Sequence, residues 1–146
     1  MALVGEAPGA QEDQLGRPFV GRAGKTLDKL MAEAGLDRDK VMITNTVKCR
    51  PPDNRRPTAE EASACRPYLS EDLNEKTFVI ALGLSAAEGL LGRKLVMTEA
   101  ANRTFDVELD GYAMKVMVTY HPSACIYRPQ AKDVLRDALR AAVPYL

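Results

Sequence analysis

The sequence predicts an α/β fold: a three-layer α/β/α sandwich around a short, mainly parallel four-stranded central sheet. Three observations predict it. Short apolar runs alternate with amphipathic stretches along the chain, as strand–helix units do. The run Phe78-Val79-Ile80-Ala81-Leu82 is continuously apolar, as a strand covered on both faces must be. Four runs end in loops rich in Gly, Asn or His, and open parallel sheets bind ligands beyond the carboxyl ends of their strands. No repeat, low-complexity tract or linker interrupts the pattern, so residues 1–146 read as one domain.

The elements follow in order. Ala2-Leu3-Val4 is a short buried strand ending at Gly5. Ala23, Leu27, Leu30, Met31 and Ala34 recur at helical spacing over 21–34, and Gly35 suits the C-terminal cap. Val41 to Val47 reads as the second strand. A proline-rich loop runs from Arg50 to Pro57. Thr58-Ala59-Glu60-Glu61 has capping-box form and opens a helix toward Leu73. After Phe78–Leu82, Gly83-Leu84-Ser85 turns into a short helix ending near Gly92. Leu95–Met97 and Thr104–Leu109 read as a hairpin, and Met114 to Tyr120 as the last core strand. A final helix over 130–143 buries Val134, Leu135, Leu139 and Ala142.

Composition narrows the classes of function. With 146 residues, 46% of them hydrophobic, the chain can bury a core and is not of disordered type. No apolar run approaches the roughly 20 residues that span a bilayer, and the N-terminus lacks the pattern of a secretory signal. The expected location is cytoplasmic. Twenty basic residues balance twenty acidic ones, so binding to nucleic acid requires a local positive surface. The segment carrying Lys48, Arg50, Arg55, Arg56 and Arg66 is the candidate. It also reads as a solvated loop diluted by Asp53, Glu60 and Glu61. Three cysteines, Cys49, Cys65 and Cys125, give neither a disulfide framework nor a CxxC pair. With one histidine they make a poor zinc site.

Two partial motifs are set aside. Gly24-Lys25-Thr26 resembles the tail of a phosphate-binding loop, but the required upstream glycine is Phe19. Gly83-Leu84-Ser85-Ala86-Ala87 resembles a nucleophile elbow without its final glycine. Ser85 reads as a residue at a helix start, with a serine hydrolase using Ser85 and His121 as a distant alternative. His121 is the only histidine; it follows a core strand and precedes a proline, a setting that puts function level with the packing role a lone histidine more often has.

Several segments, in order, carry a resemblance: Gly5-Glu6-Ala7-Pro8-Gly9; Glu12-Asp13; Gly16-Arg17-Pro18-Phe19-Val20-Gly21; Asn45-Thr46-Val47-Lys48-Cys49-Arg50-Pro51-Pro52; Asn54-Arg55-Arg56-Pro57; Ala81-Leu82-Gly83; and Tyr120-His121-Pro122-Ser123-Ala124. Together they resemble the family 4 uracil-DNA glycosylases over nearly the whole chain. That resemblance implies an enzyme that flips uracil out of DNA and hydrolyses its N-glycosidic bond, initiating base excision repair. The alternative on the same fold is a weak or inactive uracil-DNA reader associated with replication. The lone histidine argues against a covalent uracil-trapping variant, which needs a second one after Asn45.

The resemblance also implies roles. Phe19 is the stacking platform, Asn45 the reader of the uracil edge, and Ala7 part of the base pocket. His121 stabilises the departing base. Glu6 and Glu12, read as lying in one loop, line the sugar and water side; Glu12 alternatively crowds the place of a thymine methyl. Arg55, Arg56, Ser85, Ser123, Ile126 and Arg128 are the expected DNA contacts, with Ile126 as the wedge and Cys125 in place of a more usual leucine. The implied partners are uracil-containing DNA, free uracil as product and repair or replication proteins, with the protein a monomer of prokaryotic or phage type.

The resemblance also implies a [4Fe–4S] cluster, which four thiolates normally hold. Cys49 and Cys65 match two of the positions. The other two normally precede the first strand as CxxC, so the expectation here is an incomplete cluster or none. Ala100-Ala101-Asn102-Arg103 departs from the arginine–glycine turn of relatives.

Overall fold

A computed structural model describes all residues from Met1 to Leu146. Five strands form one sheet in the order β2-β1-β3-β5-β4: β1 (Ala2–Gly5), β2 (Met42–Asn45), β3 (Phe78–Leu82), β4 (Thr104–Leu109) and β5 (Tyr112–Thr119). The first three and β5 run parallel; β4 is antiparallel to β5. The expected fold class holds, with five strands rather than four.

The extra strand comes from a hairpin assigned to the wrong partner. Thr104–Leu109 pairs with β5, not with Leu95–Met97. Asp110 and Gly111 join them, both at positive φ (48° and 90°), the two-residue turn favoured by the strand twist. Met97–Ala100 is instead a short helix, α5.

Helices cover both faces, as alternation along β1 and β3 requires. Leu3, Phe78, Ile80 and Leu82 pack against α2 (Arg22–Ala34) and α7 (Pro129–Ala142) through Leu27, Leu30, Met31, Leu135 and Leu139. Ala2, Val4, Val79 and Ala81 face α3 (Ala59–Asp72) and α4 (Leu84–Leu91) through Leu69, Ala86, Ala87 and Leu90. Val134, expected in the core, is only half-buried. The capping box at Thr58 forms, with Glu61 Oε1 accepting from Thr58 N and Thr58 Oγ1 from Glu61 N.

Two short helices were not foreseen, α1 (Ala10–Leu15) and α6 (Ala124–Tyr127). Glu12 therefore sits on a helix, not in a loop with Glu6. The α1 helix buries none of its residues, so no apolar period marks it. No helix is long and apolar enough to cross a membrane.

Candidate active site

The carboxyl ends of β1, β2, β3 and β5 open onto a cavity of about 580 Å³. Glu6, Ala7, Glu12, Phe19, Asn45, Arg55, Arg56, Ser85, His121 and Ser123 all line it. The three groups expected to grip a base thus share one cavity. Ile126 and Arg128 lie outside that lining; Ile126 is half-buried and Arg128 exposed. Between them Tyr127 is 82% exposed, an outward aromatic that no sequence motif had singled out.

Asn45 closes β2 opposite Gly5 of β1. The loops beyond are tied together: Thr46 N donates to Gly5 O, and Val47 N and Thr46 Oγ1 donate to Glu6 O. Asn45 is 6% exposed, and its Oδ1 is buried without a hydrogen-bond partner. Leaving such an acceptor unpaired costs about 1–3 kcal/mol. Gly5 is required by space, since a Cβ there would lie 2.6 Å from both Asn45 Oδ1 and Phe19 Cζ.

Lys48, read from sequence as part of a DNA-facing basic segment, points inward. Its ammonium donates to Thr44 Oγ1 (2.6 Å), Asn45 O (2.8 Å) and Asp72 Oδ2 (2.5 Å). Those bonds use all three of its donors, and Thr44 Oγ1 also donates to Asp72. The network fixes the backbone that carries Asn45.

Phe19 has φ of 51°, left-handed backbone that costs a bulky side chain on the order of 1–2 kcal/mol. The surroundings enforce it. Glu12 Oε2 accepts from Val20 N and Gly21 N (2.8 and 2.6 Å), while Oε1 accepts from Gly9 N. On the other side Arg38 donates to Pro18 O and Phe19 O (2.5 and 2.9 Å) and to Asp28. Burial works to raise the Glu12 carboxyl, but the N–H groups of Gly21, Val20, Glu12 itself and Gly9 outweigh it and hold it below the usual carboxylate value. Glu6 differs: its carboxylate lines the cavity and makes no hydrogen bond within the protein.

His121 lies with its ring centroid 5.5 Å from that of Phe19. Burial pushes its imidazole down to about 4, and the Glu12 charge offsets this only in part. It is neutral at pH 7. Ser123 N donates to Nδ1 (3.1 Å), with Ser123 Oγ 2.8 Å away. Nδ1 is therefore an acceptor, so the proton resides on Nε2. Ser123, expected at a phosphate, is bonded to this imidazole. No hydrogen bond links Ser85 to His121, which leaves the serine-hydrolase alternative without its central contact.

Arg55 and Arg56 reach the cavity mouth already paired. Arg55 makes two bonds to Glu61 and holds that carboxyl down to about 2. Arg56 pairs with Glu88, which also accepts from Leu95 N.

The residues present do not fit a four-thiolate cluster. Cys49 is exposed, Cys65 is half-buried with its Sγ accepting from Lys48 N, and Cys125 is buried. No three potential ligands stand together.

The α/β sheet thus brings an aromatic ring, a buried unpaired amide oxygen and a neutral imidazole to one cavity beyond its strand ends. The chain belongs to the uracil DNA glycosylase superfamily, whose family model matches residues 1–143. Within it, the chain is 42% identical over 143 residues to the type-4 uracil-DNA glycosylase of Pyrobaculum aerophilum, covering 94% of this chain and 73% of that one. It is 41% identical to the type-4 enzyme of Archaeoglobus fulgidus (91% and 70% covered). It is 44% identical to that of Thermotoga maritima (95% and 72% covered).

Proposed function

We propose that this chain is a uracil-DNA glycosylase, a monofunctional hydrolase that releases uracil from DNA and leaves an abasic site. The observation that carries the reading is that Asn45, whose Oδ1 is buried without a partner, lines the same cavity as Phe19 and His121.

Extruding a base costs a few kcal/mol, which the pocket must offset. Phe19 stacks on the uracil ring. Asn45 Oδ1 accepts the imide N–H and its amide N–H donates to the adjacent carbonyl, a complementarity that cytosine lacks at that edge. His121 Nε2–H donates to the other carbonyl. As the N-glycosidic bond breaks, its electron pair moves onto the base, and this hydrogen bond strengthens as negative charge builds. A neutral imidazole suits the task, because it donates without delivering a full proton.

Glu6, free of protein partners, faces the developing oxocarbenium sugar and orients a water. The water oxygen bonds to the anomeric carbon as the C–N electron pair leaves on the base; the Glu6 carboxylate takes the water's proton, and the uracil anion is protonated from solvent after release. Glu12 serves the same site by holding backbone. Arg55 and Arg56 meet DNA phosphates by exchanging their carboxylate partners, with Ser85 at the cavity edge. Ile126, with Tyr127 and Arg128 beside it, fills the vacated stack. The protein acts as a monomer in the cytoplasm.

The test is a labelled oligonucleotide with one uracil, incubated with folded protein and then treated with alkali. Strand scission at the uracil is expected. Tight binding without scission would replace the enzyme with a uracil-DNA reader.

A further inference from the structure

We propose that Arg38 is a positioning residue for the base-stacking ring: its guanidinium fork grips the Pro18 and Phe19 carbonyls and, opposite Glu12, holds Phe19 in the left-handed backbone that aims its ring into the cavity. This deepens the glycosylase reading and rests on it for the ring's role.

The geometry is that of a clamp closed from two sides. The peptide groups flanking Phe19 expose carbonyls on one side and amides on the other. Arg38 takes the carbonyls of residues 18 and 19, and Glu12 takes the amides of residues 20 and 21. Asp28, on α2, accepts a third bond from Arg38 and fixes the guanidinium in place. A third constraint is steric: a Cβ on Gly24 would lie 2.0 Å from Phe19 O, so the first turn of α2 presses on this same peptide.

Such over-determination is what lets a bulky residue stay at positive φ. Without the fork, the two carbonyls lose their charged partner and Phe19 is free to return to negative φ. The ring direction is set by that backbone, so the ring would swing away from its place above Gly5 and beside His121. A planar fork can hold both carbonyls at once; an ammonium, as a point donor, cannot hold them in the same way. Arg38 touches neither cavity nor base, so its effect must pass through Phe19.

The decisive experiment is a double-mutant cycle with Arg38→Met and Phe19→Ala, read as kcat/KM on the uracil oligonucleotide. Arg38→Met alone is expected to lower kcat/KM roughly 10- to 100-fold. The same change in the Phe19→Ala background is expected to cost less than about twofold. Arg38→Lys should recover part of the loss. A full cost of Arg38→Met in the Phe19→Ala background, or no cost in the parent, overturns the proposal.

Amide exchange of Val20 and Gly21 gives a readout independent of activity, and Arg38→Lys serves should Arg38→Met fail to fold. These amides are expected to exchange at least about tenfold faster in the variant while β3 amides are unchanged. Unchanged protection overturns the proposal even in an active enzyme. Lost protection in a chain that cleaves no uracil supports the clamp and overturns the glycosylase reading instead.

Discussion

Behind the cavity wall formed by Phe19 and Asn45, Glu12, Arg38 and Lys48 direct their charges at backbone atoms of the segments carrying those two residues. At the cavity mouth, Arg55 and Arg56 pair with Glu61 and Glu88. The first arrangement fixes main chain, so the pocket is shaped before substrate arrives. The second joins side chain to side chain with both arginines open to solvent, where ion pairs contribute little and the guanidinium groups can exchange partners. A base pocket works best when its groups are held in place in advance; a surface that must accept any flanking sequence gains from exchangeable partners.

Substitutions can break or sharpen that contrast. The largest effect is expected from His121→Gln, which should lower kcat by roughly 10²–10³ in single-turnover assays with little change in DNA affinity. Gly5→Ala should cost roughly 100-fold in kcat/KM, because its methyl would drive apart Phe19 and Asn45. Lys48→Met should cost about tenfold and weaken inhibition by free uracil, since the Asn45 carbonyl loses its anchor. Equal loss on Arg55→Gln would erase the contrast. That variant and Arg56→Gln are instead expected to raise KM severalfold and flatten the salt dependence, by about 0.7–0.9 in logarithmic slope for each phosphate no longer neutralised.

Acid titration separates the regions further. The native imidazole of His121 titrates at about 4, below its ordinary value of about 6.5. As pH falls through that interval the unfolded chain gains a proton that the native state refuses. Stability is therefore constant above about pH 6.5 and falls by up to about 2 kcal/mol toward pH 4, once solvent screening is allowed for. Denaturant titrations across this range should show the decline in the parent and its absence in His121→Gln. The acid limb of kcat/KM should lie near pH 4.

The strands β1 and β3 and the helices α2, α4 and α7 were legible because apolar period and glycine caps agree there. The hairpin was not, because a strand half-exposed on its outer face reads weakly; the Asp110-Gly111 pair was the available signal. That Asn45 and His121 share a cavity was legible because one ends a strand and the other follows one; Phe19, between α1 and α2, was marked only by the family motif around it. The inward direction of Lys48 and the clamp by Arg38 had no such marker. Arg38 reaches carbonyls 19 and 20 residues away in sequence, and whether a long cation turns inward depends on which backbone the fold brings beneath it.

The Asp110–Gly111 turn has a practical consequence. It precedes β5, whereas His121 follows it, so the length of an eight-residue strand, ~26 Å, separates them. A fluorophore, affinity handle or fused partner grafted at that turn projects from the opposite pole, leaving the cavity face clear for immobilised or single-molecule work.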